Sequence, residues 1–134
     1  MASFIALDVG TKRIGVAAAD TSVPIAMPLL TLEVDGTEVQ KIRELVQSRK
    51  VEKVIVGFPR NQFGGATDQT ALTEKFADKL RDFADVYFQD ESLTSVMAEE
   101  RLRADGRKYS KADVDAMAAT IILQDYLEEN HASS

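Results

Sequence analysis

Asp8, the Asp90-Glu91 pair and Asp115 are the side chains of this 134-residue chain whose types and spacing could carry chemistry. Asp8 closes the apolar run Phe4-Ile5-Ala6-Leu7 and is followed by a Gly-Thr-Lys-Arg turn. A carboxylate at the tip of a core strand is costly unless a cation or hydrogen-bond donors meet it. Asp90 and Glu91 end the strand-like stretch YFQDE, and Asp115 lies in the helix-like stretch SKADVDAMAATIILQDYL. Cysteine is absent, and the single histidine, His131, sits in a polar tail where a general base has little to act on. Carboxylates from three distant segments, without sulfur or imidazole, are the hard oxygen donors that suit Mg²⁺ or Mn²⁺ better than Zn²⁺.

The last helix separates two aspartates. At about 100° per residue, Asp113 and Asp115 lie roughly 200° apart and cannot share a face. Asp115 falls on the apolar arc with Ala118, Ala119, Ile122 and Tyr126, pointing toward a sheet. Asp113 falls beside Gln124 and Glu128, and Ser110-x-x-Asp113 has the spacing of a capping box. Asp113 is therefore expected to be structural. For Asp115 the alternative to a metal is a basic partner or backbone donors. Alanines 116, 118 and 119 should let the helix approach the sheet closely.

Hydrophobic periodicity supplies the elements that would bring these acids together. Residues 3–8 and 14–19 read as two strands of a hairpin, and a third strand is expected over about 28–32, after the irregular stretch bracketed by Pro24 and Pro28. A helix over 37–48, capped by Thr37, shows Val39, Ile42, Leu45 and Val46 on one side. Residues 51–58 form a fourth strand leading into the loop GFPRNQFGGATDQ. A helix from 67 or 68 to about 83, a strand over 85–89, a helix over 94–104 and a helix from 110 to about 129 complete the chain. Three consecutive strands suit an antiparallel meander, and each helix-separated strand suits a right-handed parallel crossover. The fold class is α/β, a mixed five-stranded sheet flanked by helices. Asp8 and the Asp90-Glu91 pair then fall at one C-terminal sheet edge, where open α/β sheets place ligands. Spacing alone does not choose between Asp90 and Glu91.

Composition sets bounds on function. The length suits one domain, expected over residues 1–130, with a polar tail over 131–134. A net charge of −6 speaks against a broad basic coat for nonspecific nucleic-acid binding, though not against a local patch. No apolar run approaches the roughly 20 residues of a membrane helix, and the N-terminal stretch lacks a signal-peptide pattern, so a cytoplasmic location without membrane contact is expected. Lys12 and Arg13, in the turn after Asp8, could meet phosphates. So could Arg60 and Asn61 of the Gly-rich loop, and Arg107 and Lys108 before the last helix.

Five motifs in order resemble the YqgF family of bacterial proteins, whose names join Holliday junction resolution with pre-16S rRNA processing. They are D-x-G-T-K-R-I-G-V-A from Asp8, A-x-P-L from Ala26, V-G-x-P from Val56, D-E-x-L-T from Asp90 and D-x-x-A-A-x-x-I-L from Asp115. The resemblance runs from about residue 4 to residue 128. The resemblance implies a ribonuclease H-like fold with sheet order 3-2-1-4-5 and an acidic triad of Asp8, Glu91 and Asp115. It thereby selects Glu91 over Asp90. It implies a metal-dependent nuclease using two Mg²⁺ or Mn²⁺ ions, Asp8 bridging them, with phosphodiester hydrolysis as the reaction. Precursor 16S rRNA is the favoured substrate, and ribosomal particles the matching partner. A four-way DNA junction is the alternative, as is a non-catalytic nucleic-acid-binding assembly factor; oligomeric state is left open. The family's usual arginine after the Asp-Glu pair is replaced here by Ser92. Asp-x-Gly-Thr also opens the nucleotide-binding domains of actin-like ATPases and sugar kinases. Those enzymes use two such domains and a second Gly-rich phosphate turn, which this sequence lacks.

Overall fold

A computed structural model of the chain describes residues 3–20, 22–59, 68–91, 94–106 and 109–131. Its elements run β1 (Ser3–Val9), β2 (Arg13–Asp20), β3 (Val23–Glu33), α1 (Glu38–Ser48), β4 (Val51–Pro59), α2 (Asp68–Leu80), β5 (Val86–Glu91), α3 (Thr94–Ala104) and α4 (Lys111–His131). The sheet order is β3-β2-β1-β4-β5. β1 pairs antiparallel with β2 and β2 with β3, while β4 runs parallel to β1 and β5 parallel to β4. This is the expected mixed sheet, in the expected order.

The two-residue alternation of β1 sorts the interior into two cores. Ile5, Leu7 and Val9 join Ile14, Val16, Val54 and Val56 beneath α1 and α2, which contribute Ile42, Val46, Phe76 and Leu80. On the other face, Ala6, Ala17, Ala19 and Ile55 pack against Ala119, Ile122, Leu123, Tyr126 and Leu127 of α4. Small residues on the strands let α4 lie low across the sheet. A third cluster, Ala98 with Ala118 and Ile121, joins α3 to the far side of α4. Apolar contacts on two sides explain why α4 has buried residues around most of its circumference.

The structure departs from the sequence reading in three places. β3 extends back through Pro24 and Pro28 to Val23 rather than starting near residue 28. β3 is an edge strand, and proline is tolerated there because a missing N–H on the open side breaks no ladder bond. Irregularities in the β2–β3 register at Val16/Ala17 and Ala18/Asp20 absorb the fit. β5 continues through Asp90 and Glu91, pairing Phe58 with Asp90 and Pro59 with Glu91, so both acids belong to the strand. At the chain's end α4 runs on through His131, so that residue closes a helix rather than opening a tail.

Candidate active site

Asp8, Gly15 and Thr31 form a row across the sheet: Asp8 pairs with Gly15 in β2, and Gly15 with Thr31 in β3. Paired residues of antiparallel strands direct their side chains to one face, here the face covered by α4. Thr31 Oγ1 donates to the carbonyl of Ala112 at 2.7 Å, fixing the first turn of α4 to the sheet. Twelve residues on, Gln124 accepts from the Ala26 N–H at 2.9 Å and donates to the Pro24 carbonyl at 3.3 Å. The helix is pinned to β3 at both points.

Between those pins the backbone of α4 comes down on Gly15. A Cβ at that position would lie 1.9 Å from the Asp115 carbonyl oxygen, 2.2 Å from its carbon and 2.8 Å from the Ala116 nitrogen. Only a residue without a side chain permits this approach. It sets Asp115 over the strand neighbour of Asp8. Ala119, fully buried against the sheet, contributes, whereas Ala118 packs on the α3 side of the helix. The closest contact, however, is made by Gly15, which the sequence reading passed over as part of an ordinary strand. An isolated glycine inside a strand pattern is the signal that could have found it.

Asp113 and Asp115 separate as their helical positions require. The Ser110 N–H donates to Asp113 Oδ2 at 2.9 Å, and the Asp113 N–H donates to Ser110 Oγ at 3.3 Å, a reciprocal cap at the start of α4. Asp115 instead accepts a 2.6 Å charged hydrogen bond at Oδ2 from Arg13 Nε, with 23% of its side chain and 34% of that of Arg13 exposed. The structure therefore gives Asp115 a basic partner, and that partner is a residue expected to face substrate phosphate. Arg13 is two positions from Gly15 on β2 and rises on the same face. The preceding turn is closed by the Gly10 N–H donating to the Arg13 carbonyl at 2.9 Å, and Lys12 is exposed on it.

β5 lies two strand spacings from β1, roughly 9.5 Å. Tyr87 packs its ring 6.4 Å from that of Tyr126, and Gln89 donates to Glu129 at 2.7 Å, so positions 87 and 89 face α4. Position 91 is the next of that series. Asp90 alternates with Phe88, whose ring meets that of Phe58 at 5.0 Å, and is exposed. The side chain of Glu91 lies outside the described residues, as do Arg60, Asn61, Ser92, Arg107 and Lys108. Among the described residues no group of three His, Cys, Asp or Glu side chains is gathered for a metal. The strand register and the approach of α4 to Gly15 place positions 8 and 115 near one another. Their carboxylates are hard oxygen donors of the kind a divalent ion takes, and that of Asp115 is paired with Arg13.

A mixed 3-2-1-4-5 sheet flanked by helices is a ribonuclease H-like fold. The chain matches the RuvX Holliday junction resolvase family over residues 2–129 and belongs to that family. A Chloroflexus aurantiacus relative named "Putative pre-16S rRNA nuclease" is 43% identical over 135 residues, covering 96% of this chain and 88% of the relative. One of the same name from Dechloromonas aromatica is 40% identical over 137 residues, covering 98% and 94%. The fold is similar to that of Thermus thermophilus RuvC, solved with a Holliday junction substrate, at a TM-score of 0.60 and 16% identity, covering 99% of this chain and 98% of that one. It is also similar to fowlpox virus resolvase, solved with Holliday junction DNA, at 0.58 and 11%, covering 95% and 97%. No helix among the described residues is long and apolar enough to cross a membrane.

Proposed function

We propose that the chain is a metal-dependent nuclease that trims the 5′ end of precursor 16S rRNA in the cytoplasm, its single domain spanning residues 1–130. The placement of Asp115 over Gly15, the strand partner of Asp8, carries the reading. The names of the full-length relatives direct it toward rRNA.

Asp8, Glu91 and Asp115 would hold Mg²⁺ or Mn²⁺, two ions in the favoured reading. When bound, the ions supply the Lewis acidity that activates water and stabilises the departing oxyanion. The chain's own residues set the geometry. The hairpin fixes Asp8 at a strand end, Gly15 and Thr31 set the height of α4, and the cap at Ser110 and Asp113 holds its first turn. Lys12 stands exposed beside the site where a phosphate can reach it, and Arg60, Asn61, Arg107 and Lys108 are the further candidates for gripping the strand.

The test is a side-by-side cleavage assay with Mg²⁺ or Mn²⁺ on a precursor 16S rRNA fragment, single-stranded RNA and a four-way DNA junction, with Asp8→Asn as the control. Metal-dependent cleavage of the precursor fragment, lost in the variant, is expected. Selective cutting of the junction would move the substrate to DNA, the reading favoured by the description of the family. Cleavage of none, by a folded protein that still binds RNA, would make the chain a non-catalytic assembly factor.

A further inference from the structure

The Arg13–Asp115 pair joins two rigid elements across 102 residues of sequence, and it sits where a cation is required. Positions 8 and 115 lie toward one face of the sheet. Carboxylates gathered at one partly buried place repel one another unless a positive charge stands among them. Arg13 supplies a positive charge to Asp115. It is the first residue of β2, half-buried, on the α4 face, and its side chain rises beside Gly15 to the Asp115 carboxylate.

The manner of the contact is informative. An arginine that permanently buttresses a carboxylate commonly does so through two parallel N–H···O bonds. Here a single bond runs from Nε to Oδ2, and it is the only hydrogen bond Arg13's side chain makes among the described residues. The grip is short but single, on an oxygen that a divalent ion would also use. A full positive charge at 2.6 Å and a divalent ion on the same carboxylate would repel each other strongly.

We propose that Arg13 is the built-in counter-ion of the acidic site: it holds Asp115 in the absence of metal and must be displaced for a divalent ion to bind there. This rests on the metal-site reading above. Arg13 is then a positioning residue whose guanidinium, once released, stands beside the scissile phosphate with its charge unspent. The phosphate contact expected for it from sequence and the ion pair seen in the structure become two states of one side chain.

The test is titration calorimetry with Mn²⁺ alone, without nucleic acid, on the wild-type chain, Arg13→Gln, Arg13→Lys and Asp115→Asn, each checked for folding by circular dichroism. Removing a partly buried competitor should tighten Mn²⁺ binding in R13Q by roughly tenfold. R13K, which keeps a cation in reach, should stay near the wild-type value, and D115N should bind more weakly than both. The metal-free R13Q chain should also melt below the wild type and gain more from added Mn²⁺. Equal or weaker Mn²⁺ binding in R13Q, with wild-type binding intact and lost in D115N, would overturn the counter-ion role while leaving the metal site standing. Absence of Mn²⁺ binding in the wild type would overturn the metal reading and this inference with it.

Discussion

Gly15→Ala is the smallest change that tests how the site is assembled. The added methyl would stand 1.9 Å from the Asp115 carbonyl oxygen and 2.2 Å from its carbon, about 1.5 Å short of ordinary contact. Both obstacles are helix backbone, so no side chain can swing aside. The helix cannot simply lift, because Thr31 ties it to the sheet one turn earlier and Gln124 ties it further on. Overpacking of this kind costs about 1–3 kcal/mol when side chains absorb it, and the upper end applies where backbone must move. The lower chain entropy of alanine in the unfolded state returns under about 1 kcal/mol. A net loss of about 2–3 kcal/mol lowers the midpoint of a 134-residue chain by roughly 7–11 °C. A shift of Asp115 by about 1 Å should lower cleavage roughly 100-fold. Thermal denaturation followed by circular dichroism, with the precursor-rRNA assay on the folded variant, reads both. A G15A chain that melts within 2 °C of wild type, by rough allowance for measurement scatter, and cleaves normally would refute the claim that Gly15 sets Asp115 in place.

Three further outcomes follow from particular contacts. Asp8→Asn should lower cleavage by about 10³-fold or more in a chain that still folds; activity and circular dichroism measured on one preparation separate loss of chemistry from loss of fold. Ser110→Ala should cost about 1 kcal/mol, roughly 3–4 °C, through loss of the reciprocal cap with Asp113, seen by calorimetry as a lower midpoint without a matching loss of metal affinity. Burial, reinforced by Glu128 and Glu129, raises the Asp125 carboxyl above its ordinary value. The folded chain thus bears a penalty for that charge at neutral pH, and the penalty fades as pH falls through the raised value. Asp125→Asn should therefore be more stable than wild type at pH 7, and the difference should close on acidification; a pH series of urea midpoints checks the sign.

Much of this arrangement was legible in the residues because it rests on short-range periodicity. The alternation of β1 and β2, the helical arc that carries Asp115 inward and the Ser110–Asp113 box are all local patterns. The structure shows each of them. What was not legible depends on contacts between segments far apart in sequence. The glycine inside β2 signals a close approach, but nothing near it tells that the approaching segment is a helix 100 residues later. Arg13 reads as a turn cation until the fold sets it beside Asp115. β3 was shortened because its prolines look like breakers, and only its place at the sheet edge makes them acceptable. The strand reading of 85–89 also stopped short of Asp90 and Glu91. The strand in fact continues through both.

Diffraction from crystals soaked in Mn²⁺, with data collected for manganese anomalous scattering, addresses the metal site most directly. The expected result is anomalous density within roughly 2–2.5 Å of carboxylate oxygens of Asp8 and Asp115, with Glu91 completing the set and Arg13 turned away from Asp115. A manganese-loaded crystal with density elsewhere and none between these acids would contradict it.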